Sequence, residues 1–194
     1  MGGTGDPVCP SRPQPPRFLR VARLISIVFH PLVLSPLTVA LVSRDWRLTL
    51  IVAAATMIPM AAVILWKVHR GVWSDFDVSR RDQRSGLYRI AIPLFALTAL
   101  LAPIPPSFRR SMLALVAVLV IGFVFDRFLK TSLHMLFCAF CAVILARAFP
   151  WSPAVLLPVA ATLAWSRWHL NHHTPAELAA GTVLGVAAGL FTIY

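Results

Sequence analysis

The chain has 194 residues, of which 58% are hydrophobic and only 13% charged, with a mean hydropathy of +0.77. Soluble domains carry about 25% charged residues, so these values exclude an ordinary water-soluble globule and predict one all-α, polytopic membrane bundle. The net charge is +11, but the cations sit between apolar runs and form no soluble basic face; they suit anionic lipid headgroups and argue against nucleic acid.

Residues 1–20 hold five prolines and three arginines without an apolar core. They read as a disordered basic tail with no cleavable signal peptide, leaving 21–194 as the membrane-embedded domain. Apolar runs predict spanning helices over 22–42, 48–66, 88–104, 111–126, 133–149, 153–167 and 176–194. The fourth and sixth are short, so six to seven crossings are expected. Pro31, Pro36, Pro59, Pro93 and Pro158 fall inside these runs, where packed neighbours can satisfy the freed carbonyls. Trp46, Trp66, Trp73, Trp151, Trp165 and Trp168 lie near run ends, as expected of indole rings at the headgroup level. Cys9, Cys138 and Cys141 define no disulfide framework; the CxxC lies in an apolar run and reads as two small residues on a helix face. Gly181, Gly185 and Gly189 share one face of the last helix and predict close approach by a neighbour.

Polar chemistry concentrates in three links, 67–87, 127–134 and 166–177. Two crossings separate each from the next, so all three fall on one side of the membrane, with the N-terminus. In the third link, Thr174-Pro175-Ala176-Glu177 is a capping box with proline at N1. His173 stands just before that helix N-terminus, whose amides attract phosphate, and a carboxylate that holds its tautomer makes imidazole a competent phosphoryl acceptor. The second link offers Lys130, Ser132 and His134: a cation, a hydroxyl and a proton donor for a leaving oxygen. The first offers Arg80, Arg81 and Arg84, whose guanidinium groups suit a phosphoryl group. Each of the last two sets also has a plain reading, as a helix start or an interfacial anchor.

Ser166-Arg167, five residues, His173, three residues, Glu177 resembles the third signature of the type-2 phosphatidic acid phosphatase superfamily, SR-x5-H-x3-D. Ser132-Leu133-His134 resembles the end of its second signature, P-S-G-H. The resemblance covers roughly 75–194. It implies a lipid-phosphate phosphatase in which His173 is the nucleophile, Glu177 orients it and His134 protonates the leaving group. It further implies that Ser132, Arg167 and the adjoining Ser166 hold phosphoryl oxygens, with no metal or other cofactor and a membrane lipid phosphate as substrate. Glu177 replaces the family's Asp, and Thr131 and Leu133 replace its proline and glycine. The first signature, K-x6-RP, is absent in strict form. Arg84 is the candidate for its arginine and Lys130 or Arg81 for its lysine; the residue seven before Arg84 is Asp77.

Other readings stay open: a metal cluster of His169, His172, His173 and Glu177; a lipid phosphotransferase on the same fold; an inactive or transporting membrane scaffold. The resemblance places the protein in a bacterial inner membrane. The motif side carries 13 of the 18 basic residues, a lean toward the cytoplasm that the phosphate-binding cations themselves inflate, so the face stays open.

Overall fold

The computed structural model describes residues 16–192. Among them every regular element is helical: α1 (Arg17–Val28), α2 (Pro31–Ser43), α3 (Trp46–Val52), a π-helical turn (Ala53–Met57), α4 (Ile58–His69), α5 (Arg81–Leu101), α6 (Pro106–Phe125), α7 (Leu133–Ala148), α8 (Pro153–His169) and α9 (Pro175–Phe191). The all-α class holds, with fewer membrane-length helices than expected. Three are long and apolar enough to cross a bilayer: Trp46–His69, Arg81–Leu101 and Pro106–Phe125. The bent pair α1–α2 makes a fourth if counted as one span. The shortfall lies in α7, α8 and α9, of 16, 17 and 17 residues. At about 1.5 Å per residue they reach roughly 24–26 Å, short of a hydrocarbon core of about 30 Å.

Proline explains two departures from the sequence reading. Pro31 breaks the expected 22–42 helix: it forces His30 into an extended conformation, and α1 and α2 meet at a 46° bend. Pro59 has no N–H for the Ala55 carbonyl one turn before it. That oxygen accepts instead from Thr98 Oγ1 of α5 at 3.3 Å, beside the π-helical turn. Pro36, Pro93 and Pro158 stay within helices.

Helix α5 starts at Arg81 and α6 at Pro106, earlier than their apolar runs suggested, because helix continues where hydropathy has already ended. The tail reading is also shortened: Arg17 to Arg20 are helical, while residues 1–15, with Cys9, lie outside the described residues. Trp73 is not at a lipid interface. It is buried, with Lys67 Nζ 5.2 Å from its ring centroid, whereas Trp46, Trp66, Trp151 and Trp168 are exposed near helix ends. Cys138 and Cys141 are free thiols buried in α7.

Helices α7 and α9 form the most intimate contact. A Cβ at Gly181 or Gly185 would collide with the carbonyl oxygen of Ser132 or Leu136, and one at Gly189 with the Val143 side chain. This places the N-terminus of α7 against the first turns of α9, and the Ser132 N–H donates to the Glu177 carbonyl at 3.1 Å. Gly185→Ala is expected to cost about 1–3 kcal/mol by overpacking, read as a lowered thermal unfolding midpoint in detergent.

Candidate functional site

Five helix ends and two links converge. Arg81 and Arg84 come from the first turn of α5, Asp126 from the C-cap of α6, Lys130 to His134 from the α6–α7 link and the start of α7. Arg167 comes from the last turn of α8, and His173 and Glu177 from the start of α9. The Pro31 break adds His30, and the 70–80 loop adds Asp77.

Glu177 serves two roles with one oxygen. Its Oε2 accepts from the Thr174 N–H at 3.1 Å, completing the capping box, and lies 3.1 Å from His173 Nδ1. The extra methylene relative to aspartate therefore does not prevent contact. With Nδ1 turned to a carboxylate, the ring proton belongs on Nδ1 and the lone pair on Nε2. Burial, then the positive charges of Arg167, Arg84 and Lys130, push the His173 pKa down to about 2. The imidazole is neutral at physiological pH, as a nucleophile requires.

Sequence reasoning missed Asp77, the centre of the cluster. Its Oδ2 pairs with Arg167 Nη1 and accepts from Ser26 Oγ at 3.3 Å; Arg167 Nη1 also donates to Ser26 Oγ at 2.7 Å. His172 Nδ1 lies 3.5 Å from Oδ2, at the outer limit of a hydrogen bond. His30 Nε2 and His134 Nε2 stand 3.7 and 3.8 Å from Oδ1. Burial alone would raise the Asp77 pKa, but His172, His134 and Arg167 hold it well below the carboxylate range. The next residue, Val78, is buried and β-branched with φ +46°, a costly conformation that the surrounding contacts impose. Two signals pointed here: an acid in a chain with few, and His30 as an ionisable group inside an apolar run.

The expected phosphate ligands have varied surroundings. Arg84 is buried: Nη2 donates to Tyr88 Oη at 3.0 Å and to the Thr131 carbonyl, and Nε lies 3.2 Å from Asp126 Oδ1. Burial raises the Asp126 pKa against the pull of Arg84, Arg81 and Lys130. Arg81 donates twice to the Asp126 carbonyl, at 2.9 and 2.6 Å. Lys130 Nζ donates to the His172 carbonyl at 2.7 Å, and burial with Arg84 nearby lowers its pKa. Ser132 N-caps α7 and is fully buried. Ser166 Oγ donates to the Ala22 carbonyl at 2.5 Å, so it fastens α8 to α1 and is not directed at the cluster. Arg80 pairs at the surface with Asp82. Arg167 Nε is buried without a hydrogen-bond partner, which leaves a donor within the cluster.

The metal cluster considered from sequence does not assemble. His169 turns to Trp165, stacking on its ring at 4.7 Å and meeting its carbonyl at 3.0 Å. A different trio, His30, Asp77 and His134, has ligand-type atoms within 4.8 Å of one another. It fits a cation poorly. His30 Nδ1 accepts from the Leu32 N–H at 3.2 Å, so its proton sits on Nε2, the atom facing Asp77, and Arg167 already neutralises that carboxylate. A cavity of about 70 Å³ borders this trio, with Tyr88 and Phe137 on its wall.

Comparison with protein-family models, curated proteins and solved structures finds no match. Fold and site define the class: an all-helical protein with several helices able to span a membrane and a buried cluster of histidines, cations and carboxylates at one end of the bundle.

Two outcomes follow from this geometry. Asp77→Asn leaves Arg167, which is 1% exposed, without its counter-charge. It should cost about 3–5 kcal/mol, and Asp77→Asn/Arg167→Gln should recover part of that in a double-mutant cycle of chemical unfolding. His173 titrates below its unfolded value of 6.5. Its contribution to stability is thus complete above pH 6.5 and declines as pH falls toward the folded value, because only the unfolded chain takes up the proton. Its imidazole NMR resonance, assigned through His173→Gln, should stay flat between pH 8 and 5.

Proposed function

We propose that this chain is an integral membrane lipid-phosphate phosphatase, hydrolysing a phosphomonoester or diphosphate of a membrane lipid without a metal. The observation that carries the reading is a neutral His173 held through Nδ1 by Glu177 at 3.1 Å, with the charges of Arg167, Arg84 and Lys130 acting on it. In the first step His173 Nε2 attacks phosphorus, the bond to the lipid oxygen breaks, and that oxygen takes a proton through His134. Asp77 Oδ1 stands 3.8 Å from His134 Nε2 and is the carboxylate that faces this ring. In the second step water gives a proton to His134 and attacks phosphorus, the P–N bond to His173 breaks, and phosphate leaves with both histidines restored. Arg167 and Arg84 stabilise the charge on the transferring group. Helices α7, α8 and α9, packed together though short, complete a membrane bundle of six to seven helices. Resolution by an alcohol in place of water would make the same site a lipid phosphotransferase.

One observation favours a second reading, a non-catalytic lipid-binding or transport protein: the carboxylate of Asp77 stands among the cations and engages Arg167. Activity separates the two. Purified protein should release phosphate from a panel of phosphatidate, prenyl diphosphate and phosphatidylglycerophosphate, undiminished by EDTA. His173→Ala should lower that release by at least a thousandfold while membrane insertion persists. Wild-type-like turnover by that variant overturns the mechanism, and loss of activity in EDTA overturns its metal independence.

A further inference from the structure

Two cavities inside the bundle adjoin each other. The smaller, about 70 Å³, borders His30, Asp77 and His134. The larger, about 430 Å³, lies among α2, the π-helical turn, α5, α6 and α7. Met57 and Phe95 line both and are buried, so the cavities meet at these two side chains. Phe95 also stands edge-on to Phe137 of the smaller cavity, with ring centroids 6.2 Å apart. The same helix faces continue from one cavity to the next. On α7, His134 and Phe137 border the smaller and Cys141 and Ile144 the larger; steps of three and four residues keep all four on one face. On α6, Leu119 borders the smaller and Leu115 and Met112 the larger, again on one face. From His134 to Ile144 this seam runs about 15 Å along α7, away from the histidine cluster.

In the proposed reaction His173 and the cations take the phosphoryl group, and His134 protonates the oxygen that carries the lipid. The hydrocarbon therefore departs on the His134 side, where the seam begins. The stretch beside His134, about 70 Å³, is far below the roughly 300–1,000 Å³ of whole ligand pockets and passes one chain, not two. Beyond it Met57, Phe95, Leu115 and Phe140 present buried apolar surface to the larger cavity. A chain there supplies the packing contacts that a void denies its walls. We propose that the seam holds the hydrocarbon of the substrate, threaded from His134 past Met57 and Phe95 into the larger cavity, and that the substrate is a single-chain lipid phosphate and not a two-chain phosphatidate. The headgroup's position rests on the phosphatase reading; the path of the chain is measurable without it.

Dodecyl phosphate carrying a diazirine is photolysed with the full chain in nanodiscs, in wild type and in His173→Ala, and the adducts are mapped by mass spectrometry. A diazirine near the headgroup should label Leu119 or Phe137, and one at the chain end Leu115, Phe140 or Ile144, in both proteins. Dodecyl phosphate should displace this labelling better than dilauroyl phosphatidate. Adducts confined to exposed Leu97 and Leu101, the same residues labelled from both diazirine positions, or equal displacement by the two lipids overturns the proposal. In wild type, kcat/KM for dodecyl phosphate should exceed that for hexyl phosphate and for dilauroyl phosphatidate about tenfold. Ile144→Trp, which fills the larger cavity, should lower kcat/KM for dodecyl phosphate about tenfold more than for hexyl phosphate. Phosphatidate turned over as fast as dodecyl phosphate, or equal losses at both chain lengths, also overturns it. If no substrate releases phosphate, the phosphatase reading fails, and the labelling with its displacement still decides the path and the number of chains.

Discussion

A buried guanidinium must keep a counter-charge, and Arg167 meets that requirement with Asp77. The pair joins segments that are far apart in sequence. It pulls the 70–80 loop onto the end of α8 and, through Ser26, onto α1. Val78 adopts a left-handed conformation beside it, so the loop gives up local comfort to place one carboxylate. His30, His134 and His172 all face that carboxylate, at 3.5–3.8 Å.

Backbone chemistry sets the rest of the frame. Proline ends α1, and the resulting turn carries His30 into the cluster, 4.8 Å from the His134 ring. The glycine face of α9 lets the α7 backbone approach until Ser132 bonds to the Glu177 carbonyl. A small-residue stripe that reads as packing is thus also what brings the second and third polar links together.

The histidines of the cluster are divided by their surroundings. Burial and the surrounding cations keep the His173 ring neutral, and the carboxylate on Nδ1 leaves its lone pair on Nε2. His134 is buried with its Nε2 3.8 Å from Asp77 Oδ1 and the His30 ring 4.8 Å away. Glu177 ties this division to the fold, because the oxygen that orients His173 also caps α9.

From sequence alone, composition determined the all-helical, apolar character, and residue order determined the capped start of α9, the glycine face and the spacing of His173 from Arg167 and Glu177. These are local properties, legible because period, capping and i,i+4 spacing act within a few residues. The number of membrane-length helices was less legible, since hydropathy marks apolar runs but not where a helix begins, bends or falls short. Asp77 was visible only as a mismatch to a motif, and Ser166 as part of one. Their partners, Arg167 and the Ala22 carbonyl, lie 90 and 144 residues away. Such pairings carry no local signature; which charge neutralises which, and which hydroxyl fastens a helix, is decided when the helices pack.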